Sequence, residues 1–403
     1  MNILITHPNF PAQFKHLARR LAENPENRVF FLAKYLNNRK IENVHTATYR
    51  PKLKANPSSH DFARKTEEYV IEGQAVALAL KELKSRTEFV PDIIIGHVGW
   101  GSLLYIKDVF PEIPILGYFE WYYRSKNFEN GYWNSNSIAE KAKMRLRTMN
   151  TANLISLDLC DAGICPMNWQ KSNFPSFSWD FLETVHDGID TELFSSKLKS
   201  DFFSLPSKGI FIPEENQIVT YVSRGLEPYR GFPQFMDAIR IVLNKNKNCH
   251  VVIAGADKCF YGRSPKTGTW KSIELQKGID LERVHFTGTL PEDEYLQLVA
   301  ASDVHVYLTR PFVLSWSFLE FMSSGKCLIA SDTSPVQEVM KNMENGILAD
   351  FWDSKDIASK ILEALDNSEL RKRLGKSARE TVLDKYEKEK CLSKQLKIIQ
   401  DLI

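Results

Sequence analysis

Metal-binding and redox cysteine patterns are missing from this chain. Its six cysteines, Cys160, Cys165, Cys249, Cys259, Cys327 and Cys391, include no C-x-x-C pair and no Cys/His cluster with zinc-like spacing. That argues against a zinc module, a thioredoxin-type centre and a disulfide-stapled scaffold, and it fits reduced thiols in the cytoplasm. Long hydrophobic runs are missing too. No stretch approaches the roughly 18 uninterrupted apolar residues of a spanning helix, so any membrane contact is expected to be peripheral, at the inner face. The start, Met1 to Thr6, soon meets polar residues and prolines; it is too short for a signal h-region and reads as a first strand. An excess of one charge is the third absence. The 52 basic and 50 acidic residues are interspersed and leave a net charge of +2, so no nucleic-acid footprint is visible and no nucleic-acid partner is expected.

What is present is an ordinary globular balance, 43% hydrophobic and 25% charged over 403 residues, more than a single core usually serves. Two domains follow. Short apolar runs alternate with helix-period segments, the pattern of βα units with a parallel sheet. Strands are predicted at Asn2 to Thr6, Val29 to Leu32, Asp92 to Gly96, Ile115 to Phe119, Ala162 to Cys165 and Glu183 to Val185. Between the first two, Ala12 to Leu21 puts Phe14, Leu17, Ala18 and Leu21 on one helical face. A second series runs through Ile218 to Val222, His250 to Ala254, Val284 to Phe286, Val304 to Tyr307 and Cys327 to Ala330. The aperiodic stretch 195–217 reads as the linker, giving domains at 1–194 and 218–385; from Ser354 onward the pattern is helical.

Two turns carry chemistry. The strand Ile218 to Val222 runs into Ser223, Arg224, Gly225, Leu226, Glu227, Pro228, Tyr229, Arg230 and Gly231 before a helical pattern. A glycine-bearing turn at a helix N-terminus gathers free backbone N–H groups and the positive end of the helix dipole, and two arginines add forked donors for phosphate oxygens. Alternatively, both arginines are solvated and pair with Glu227 or other carboxylates. The second turn, Phe312 to Ser317, likewise ends in a helix, so the two are expected to face one pocket at the carboxyl edge of the sheet. Glu320 either hydrogen-bonds a ribose diol or closes a capping box with Ser317.

Taken together these residues resemble the GT4 family of retaining glycosyltransferases, whose GT-B fold is α/β, with two Rossmann-like parallel-sheet domains facing across a cleft and C-terminal helices, here about 386–403, returning toward the first domain. The resemblance covers nearly the whole chain. It implies that Arg224 and Arg230 bind the donor diphosphate and act in catalysis, and that Glu320, the second acid of the family's E-x7-E element, binds the donor ribose. Phe312 stands where the first acid belongs, in a Pro-Phe-Val-Leu-Ser-Trp-Ser run that resembles a bacterial subgroup, which throws more of the donor contact onto the backbone of Leu314, Ser315, Trp316 and Ser317. His186-Asp187-Gly188-Ile189-Asp190 resembles the family's turn closing the first domain. Gly255, Thr287 and Gly288 match positions near the donor, and Ala12 replaces a family glycine that approaches its phosphate.

In the first domain Glu120 follows the strand Pro114 to Phe119 at a place where many relatives carry a histidine near the reacting sugar, and His97 matches another family histidine. Both are candidate catalytic residues; the plainer readings are a Glu120–Arg124 pair and a satisfied strand-end histidine. Trp121, Tyr122 and Tyr123, with Phe128, Tyr132 and Trp133, are expected on the acceptor side, and Lys141, Lys143, Arg145 and Arg147 form either a solvated helix or a face for anionic head groups. The expected reaction moves a sugar from a nucleoside-diphosphate donor to a hydroxyl of a glycan, lipid-linked or protein acceptor, with retention as the resemblance implies. No Asp-x-Asp pair follows a strand, so neither a metal nor another cofactor is expected. The rivals are a binding protein of the same fold without catalysis, and a hydrolase or epimerase that needs no acceptor.

Overall fold

The structure, a computed structural model, describes residues 1–125, 140–198 and 202–403. Two compact units divide the chain: Met1–Gly188 together with Lys388–Ile403, and Ile189–Glu387. Each is built on a parallel sheet.

In the first unit the strands are β1 (Asn2–Thr6), β2 (Arg28–Ala33), β3 (Val44–Thr48), β4 (Ile93–His97), β5 (Ile115–Tyr118), β6 (Ala162–Cys165) and β7 (Leu182–Thr184). Their order is β3-β2-β1-β4-β5-β6-β7, parallel throughout. Central strands covered on both faces read as unbroken apolar runs, as Ile3-Leu4-Ile5 and Ile93-Ile94-Ile95 do, and all six are buried. The predicted first helix begins as a 3-10 turn, Ala12–Phe14, and continues as Lys15–Ala22. Its Phe14, Leu17 and Leu21 share a core with Ile3, Ile5 and Phe31, joined by Leu392, Ile398 and Ile399 of the last helix, Lys388–Leu402.

The second unit opens with a hairpin, β8 (Phe203–Leu205) and β9 (Ile210–Ile212). Its main sheet comprises β10 (Gln217–Gly225), β11 (Cys249–Ala256), β12 (Val284–Gly288), β13 (Val304–Tyr307), β14 (Cys327–Ser331) and β15 (Ile347–Ala349), in the order β12-β11-β10-β13-β14-β15 and again all parallel. The hairpin corrects the linker drawn at 195–217. Its inward residues Phe203, Leu205, Ile210 and Ile212 pack with Ile218, Val252 and Leu298, so that stretch belongs to the second unit's core. The change of unit comes earlier than residue 194, between Gly188 and Ile189, and the chain returns at Lys388. Gly188 holds a φ of 89° there, and the Asp187 carboxylate accepts from the Tyr118 hydroxyl at 2.6 Å.

Candidate functional site

Open parallel sheets bind ligands at the carboxyl ends of their strands, where the strand order reverses direction. In the second sheet that point lies between β10 and β13, neighbours in register from Val219 beside Val304. The two turns singled out in the sequence follow these two strands.

After β10 the chain makes the 3-10 turn Pro228–Arg230 and enters the helix Phe232–Lys245 through Gly231 at φ 67°. A Cβ on Gly231 would lie 2.5 Å from the Leu308 Cβ, so the close passage of this turn against β13 requires glycine. Arg230 is buried. Its guanidinium donates to the Tyr307 hydroxyl at 3.0 Å, the Thr309 hydroxyl at 2.9 Å and the Val313 carbonyl at 3.1 Å. Those partners are neutral, and they leave two of the five N–H donors outside these bonds. Arg224 is exposed, with its guanidinium 4.3 Å above the Phe260 ring.

Glu227 makes no direct ion pair with Arg224 or Arg230 among the described residues. Its Oε2 accepts from the backbone N–H of Phe260 at 2.5 Å and of Tyr261 at 2.8 Å, while its buried Oε1 has no partner among the described residues. Burial raises this carboxyl above its ordinary value against the pull of those amides and of Arg230. The carboxylate thus ties the loop after β11 to the arginine turn. Gly225 lets that loop settle, since a Cβ there would meet the Lys258 carbonyl at 2.4 Å.

After β13 the turn leads into the helix Trp316–Ser323, with Ser315 at the position just before its first turn and no side-chain cap bond from it. Ser317 therefore lies inside the helix, and the capping box proposed for Ser317 and Glu320 is not formed. Glu320 accepts from the Tyr295 hydroxyl at 2.6 Å instead. The Ser315 amide donates to the Tyr307 hydroxyl at 2.8 Å, so it is already committed within the protein. Leu314, Trp316 and Ser317 lie around the helix N-terminus, where intrahelical acceptors run out. Gly255, at the end of β11 with φ 152°, and Thr287 and Gly288, at the end of β12, lie along the same edge of the sheet. A Cβ on Gly255 would be 2.4 Å from the Ser223 carbonyl.

The first sheet reverses between β1 and β4, and a polar cluster gathers at their carboxyl ends. His97 accepts the Gly99 amide on Nδ1 at 3.1 Å, which leaves the proton on Nε2, 3.3 Å from the Glu120 Oε2. Gln13 donates to the other Glu120 oxygen at 2.7 Å, and Gln170 to its backbone carbonyl at 2.6 Å. Burial alone would raise the Glu120 carboxyl, but the hydrogen bonds from His97 and Gln13 and the electrostatic pull of the neighbouring imidazoles outweigh it and hold the group below its ordinary value. His7 packs edge-on against His97, with centroids 5.3 Å apart, and burial lowers it to about 3, so it is neutral. Arg124 is not the partner of Glu120: its Nε donates to the Asn173 carbonyl at 2.7 Å and its guanidinium lies over Tyr122.

Ala12 holds a φ of 48° and is half-buried, the left-handed backbone that glycine would adopt with less strain. Trp121, Tyr122 and Tyr123 are also half-buried; Asn153 and Asn150 hold the backbone of Trp121 and Tyr123, and Tyr122 packs on Phe174. Phe128, Tyr132 and Trp133 lie outside the described residues. The basic helix Glu140–Thr148 buries none of its residues, and Lys141 pairs with Asp61 at 3.7 Å. Sequence reasoning passed over His7, Gln170, Phe260 and Tyr261. For His7 the signal was there, because it directly follows a buried strand at the ligand-binding end.

Residues 25–194 match the family model described as glycosyl transferase family 4 group, and residues 206–381 match that described as glycosyl transferases group 1. Both halves of the chain therefore carry glycosyltransferase-family sequence. Among curated relatives, N-acetyl-alpha-D-glucosaminyl L-malate synthase of Bacillus anthracis is 25% identical over 227 residues, which cover 55% of this chain and 54% of that protein. The chain thus spans about half the length of the curated relatives it matches. Sucrose-phosphate synthase from Thermosynechococcus elongatus superimposes with a TM-score of 0.71 at 15% identity, over 100% of this chain and 99% of that one. Anabaena Alr3699/HepE in complex with UDP-glucose gives 0.70 at 14% identity over 100% of both chains. These likenesses show the fold, two Rossmann-like parallel-sheet domains of the GT-B kind.

Proposed function

We propose that the chain transfers a sugar from a nucleoside-diphosphate donor to an acceptor hydroxyl, with retention of anomeric configuration. The observation that carries this reading is the convergence of Arg224, Arg230 and the N-terminus of the helix Trp316–Ser323 on the strand-order reversal of the second sheet. As the glycosyl bond breaks, negative charge accumulates on the departing diphosphate. Fixed guanidiniums and a helix N-terminus stabilise that charge more in the transition state than in the ground state, which is what accelerates the step. Glu320 would take the ribose hydroxyls. In the first unit, Glu120 with His97 would act on the transferred sugar: a carboxylate kept ionised by its neighbours can accept from a sugar hydroxyl or offset positive charge developing at the anomeric carbon. Trp121, Tyr122 and Tyr123 would form part of the acceptor wall. The acceptor is proposed as a glycan, lipid-linked or protein hydroxyl.

A panel of UDP-, dTDP- and GDP-linked sugars tests the reading. A true donor at about 100 times its Kd should stabilise the fold by roughly 2.7 kcal/mol, visible as a rise in melting temperature. With that donor in hand, glycosyl transfer to an acceptor hydroxyl is the expected activity. Donor stabilisation without turnover against a broad acceptor panel would leave a binding protein, and no stabilisation by any of them would overturn the proposal.

A further inference from the structure

The chain is nearly neutral as a whole, yet two stretches of the first unit carry bases and no acid. Between Glu42 and Asp61 the sequence holds no carboxylate, and Arg50, Lys52 and Lys54 follow the end of β3. Between Glu140 and Asp158 it again holds none, and Lys141, Lys143, Arg145 and Arg147 lie on the helix Glu140–Thr148.

Far apart in sequence, the two stretches lean on the first half of one helix, Arg64–Thr87. Tyr49, next to Arg50, donates its hydroxyl to the Glu72 carboxylate, and a turn earlier the Tyr69 hydroxyl donates to the Met149 carbonyl at 3.1 Å. The Thr148 hydroxyl reaches the Phe62 carbonyl at 2.7 Å, and Lys141 meets Asp61 at 3.7 Å. The basic helix is thus pinned beside the segment that begins at Arg50.

Arg50, Lys52, Lys54, Arg145 and Arg147 are all exposed, and none has a carboxylate partner among the described residues. Other surface cations do find one a turn away, as Arg86 does in Glu82 and Lys372 in Glu369. Like charges gathered without counter-ions repel, a cost that a negatively charged partner removes. Two apolar side chains stand among these cations. Leu53, between Lys52 and Lys54, is 65% exposed, and Met144, between Lys143 and Arg145, is 53% exposed.

The occupant has to answer to both features. A soluble polyanion matches the cations but offers nothing to Leu53 or Met144. A nucleic acid calls in addition for rings on which its bases stack, and neither stretch has an aromatic residue among its cations. A head-group layer meets both, because basic side chains pair with anionic lipids while short apolar ones dip beneath them.

We propose that this face, Arg50 to Lys54 with the helix Glu140–Thr148, docks the protein on an anionic lipid surface. Arg50 follows β3 at the carboxyl edge of the first sheet, the edge that also carries His97 and Glu120. Docking brings that edge to the bilayer, where the hydroxyl of a lipid-linked acceptor would be presented. It requires nothing of the donor site.

Co-sedimentation of the full chain with vesicles tests this. The protein should bind phosphatidylcholine vesicles that contain phosphatidylglycerol at roughly one part in three and ignore phosphatidylcholine alone, and salt at about 0.5 M should release it. Each cation near such a surface contributes about fivefold, so Lys52→Ala with Lys54→Ala, and Arg145→Ala with Arg147→Ala, should each weaken partitioning roughly 25-fold. Leu53→Ser should weaken it several-fold with no change of charge. Lys372→Ala with Lys376→Ala, on the helix Ser368–Lys385 of the second unit, should leave it unchanged. All these side chains are exposed, so the melting temperature should hold in every variant and a loss of binding is not a loss of fold. No preference for the anionic vesicles, or an equal loss in the Lys372 and Lys376 pair, would overturn the proposal. So would vesicle binding that is indifferent to Leu53→Ser and displaced by a soluble acidic polysaccharide, since the face would then serve a polyanion in solution.

Discussion

At the reversal of the first sheet, between β1 and β4, the side chains are two imidazoles, a carboxylate and two carboxamides; at the reversal of the second, between β10 and β13, they are guanidiniums, aromatic rings and a helix N-terminus. The two sheets share a topology up to the point of reversal, so this contrast does not come from the fold. It comes from which residues follow the strands: His7, His97 and Glu120 in one unit, Arg224, Arg230 and Phe312 in the other. The second set is electropositive and suits an anion. The first is a hydrogen-bonded pair whose acid stays ionised, and it suits hydroxyl groups and small shifts of charge. If the proposed function is right, damage to the second site should appear in donor binding and in turnover, and damage to the first in turnover alone.

The largest effect is expected at Arg230. Arg230→Ala removes three hydrogen bonds made by a buried cation and takes that donor from the Val313 carbonyl and the Thr309 hydroxyl, while the Tyr307 hydroxyl keeps only the Ser315 amide. Transition-state stabilisation should fall by about 2 to 4 kcal/mol, and folding stability should fall with it. Arg224→Ala should cost a similar amount in kcat/KM while barely moving the melting temperature, because that side chain is exposed and, among the described residues, stacks on Phe260. Near-wild-type kinetics in both variants would remove the anion from the second site.

Glu120→Gln sharpens the comparison from the other side. Turnover should drop about 10²-fold with donor affinity nearly unchanged, if the carboxylate acts on charge that develops only during transfer. Arg124→Ala is the matched control: its partners are Asn173 and Tyr122, so turnover per folded molecule should stay intact. Because the Glu120 carboxyl is held below its ordinary value, its contribution to stability is complete above the unfolded carboxyl pKa and is lost only as pH falls through the lower folded one. The acid limb of the stability profile should therefore shorten in Glu120→Gln, measured by urea unfolding between pH 3 and 6.

His7 gives a pH effect of opposite cause. An unfolded histidine binds its proton near 6.5, but in the fold burial lowers His7 to about 3. Stability should be constant above about pH 6.5 and then decline on acidification, by roughly 1.4 kcal/mol per pH unit for this group, until the folded value is reached. His305, lowered to about 3 within the second unit, adds a parallel loss there. In His7→Phe the decline should be shallower by one proton. An unchanged slope would mean that His7 is not buried in its neutral form.

The parallel sheets were legible because their central strands are short apolar runs between helical patterns, and the two turns because glycine and arginine sit where such strands end. What was missed has physical causes. Val44–Thr48 is an edge strand, largely exposed and with little apolar signal, and Ile347–Ala349 has only three residues. The hairpin Phe203–Leu205 with Ile210–Ile212 offers too few residues per strand to show a period against a Ser/Lys/Pro background. At the site, individual residues were readable but their pairings were not: Glu227 looked like a partner for the arginines and instead holds a loop 33 positions away, and Arg124 looked like the partner of Glu120 on spacing alone. Such contacts are set by tertiary packing, which no local pattern encodes.

The smallest effect is expected at Glu320, where the capping box is no longer a competing explanation. Its side chain bonds Tyr295 on the helix Glu292–Ala301, and glutamine can still accept from that hydroxyl through its carbonyl oxygen. Folding stability should therefore change by less than about 1 kcal/mol in Glu320→Gln. A carboxylate that also accepts from ribose hydroxyls makes charge-assisted bonds, roughly twice as strong as neutral ones, so donor affinity should weaken by about 10-fold on the same substitution. Tyr295→Phe separates the two partners: it removes the tyrosine hydroxyl and keeps the Glu320 carboxylate, and donor affinity should then hold or improve. If Glu320→Gln leaves donor affinity unchanged while Tyr295→Phe lowers stability, Glu320 serves only the contact between its own helix and Glu292–Ala301, and the ribose must be held elsewhere along the edge, where Gly255, Thr287 and Gly288 lie.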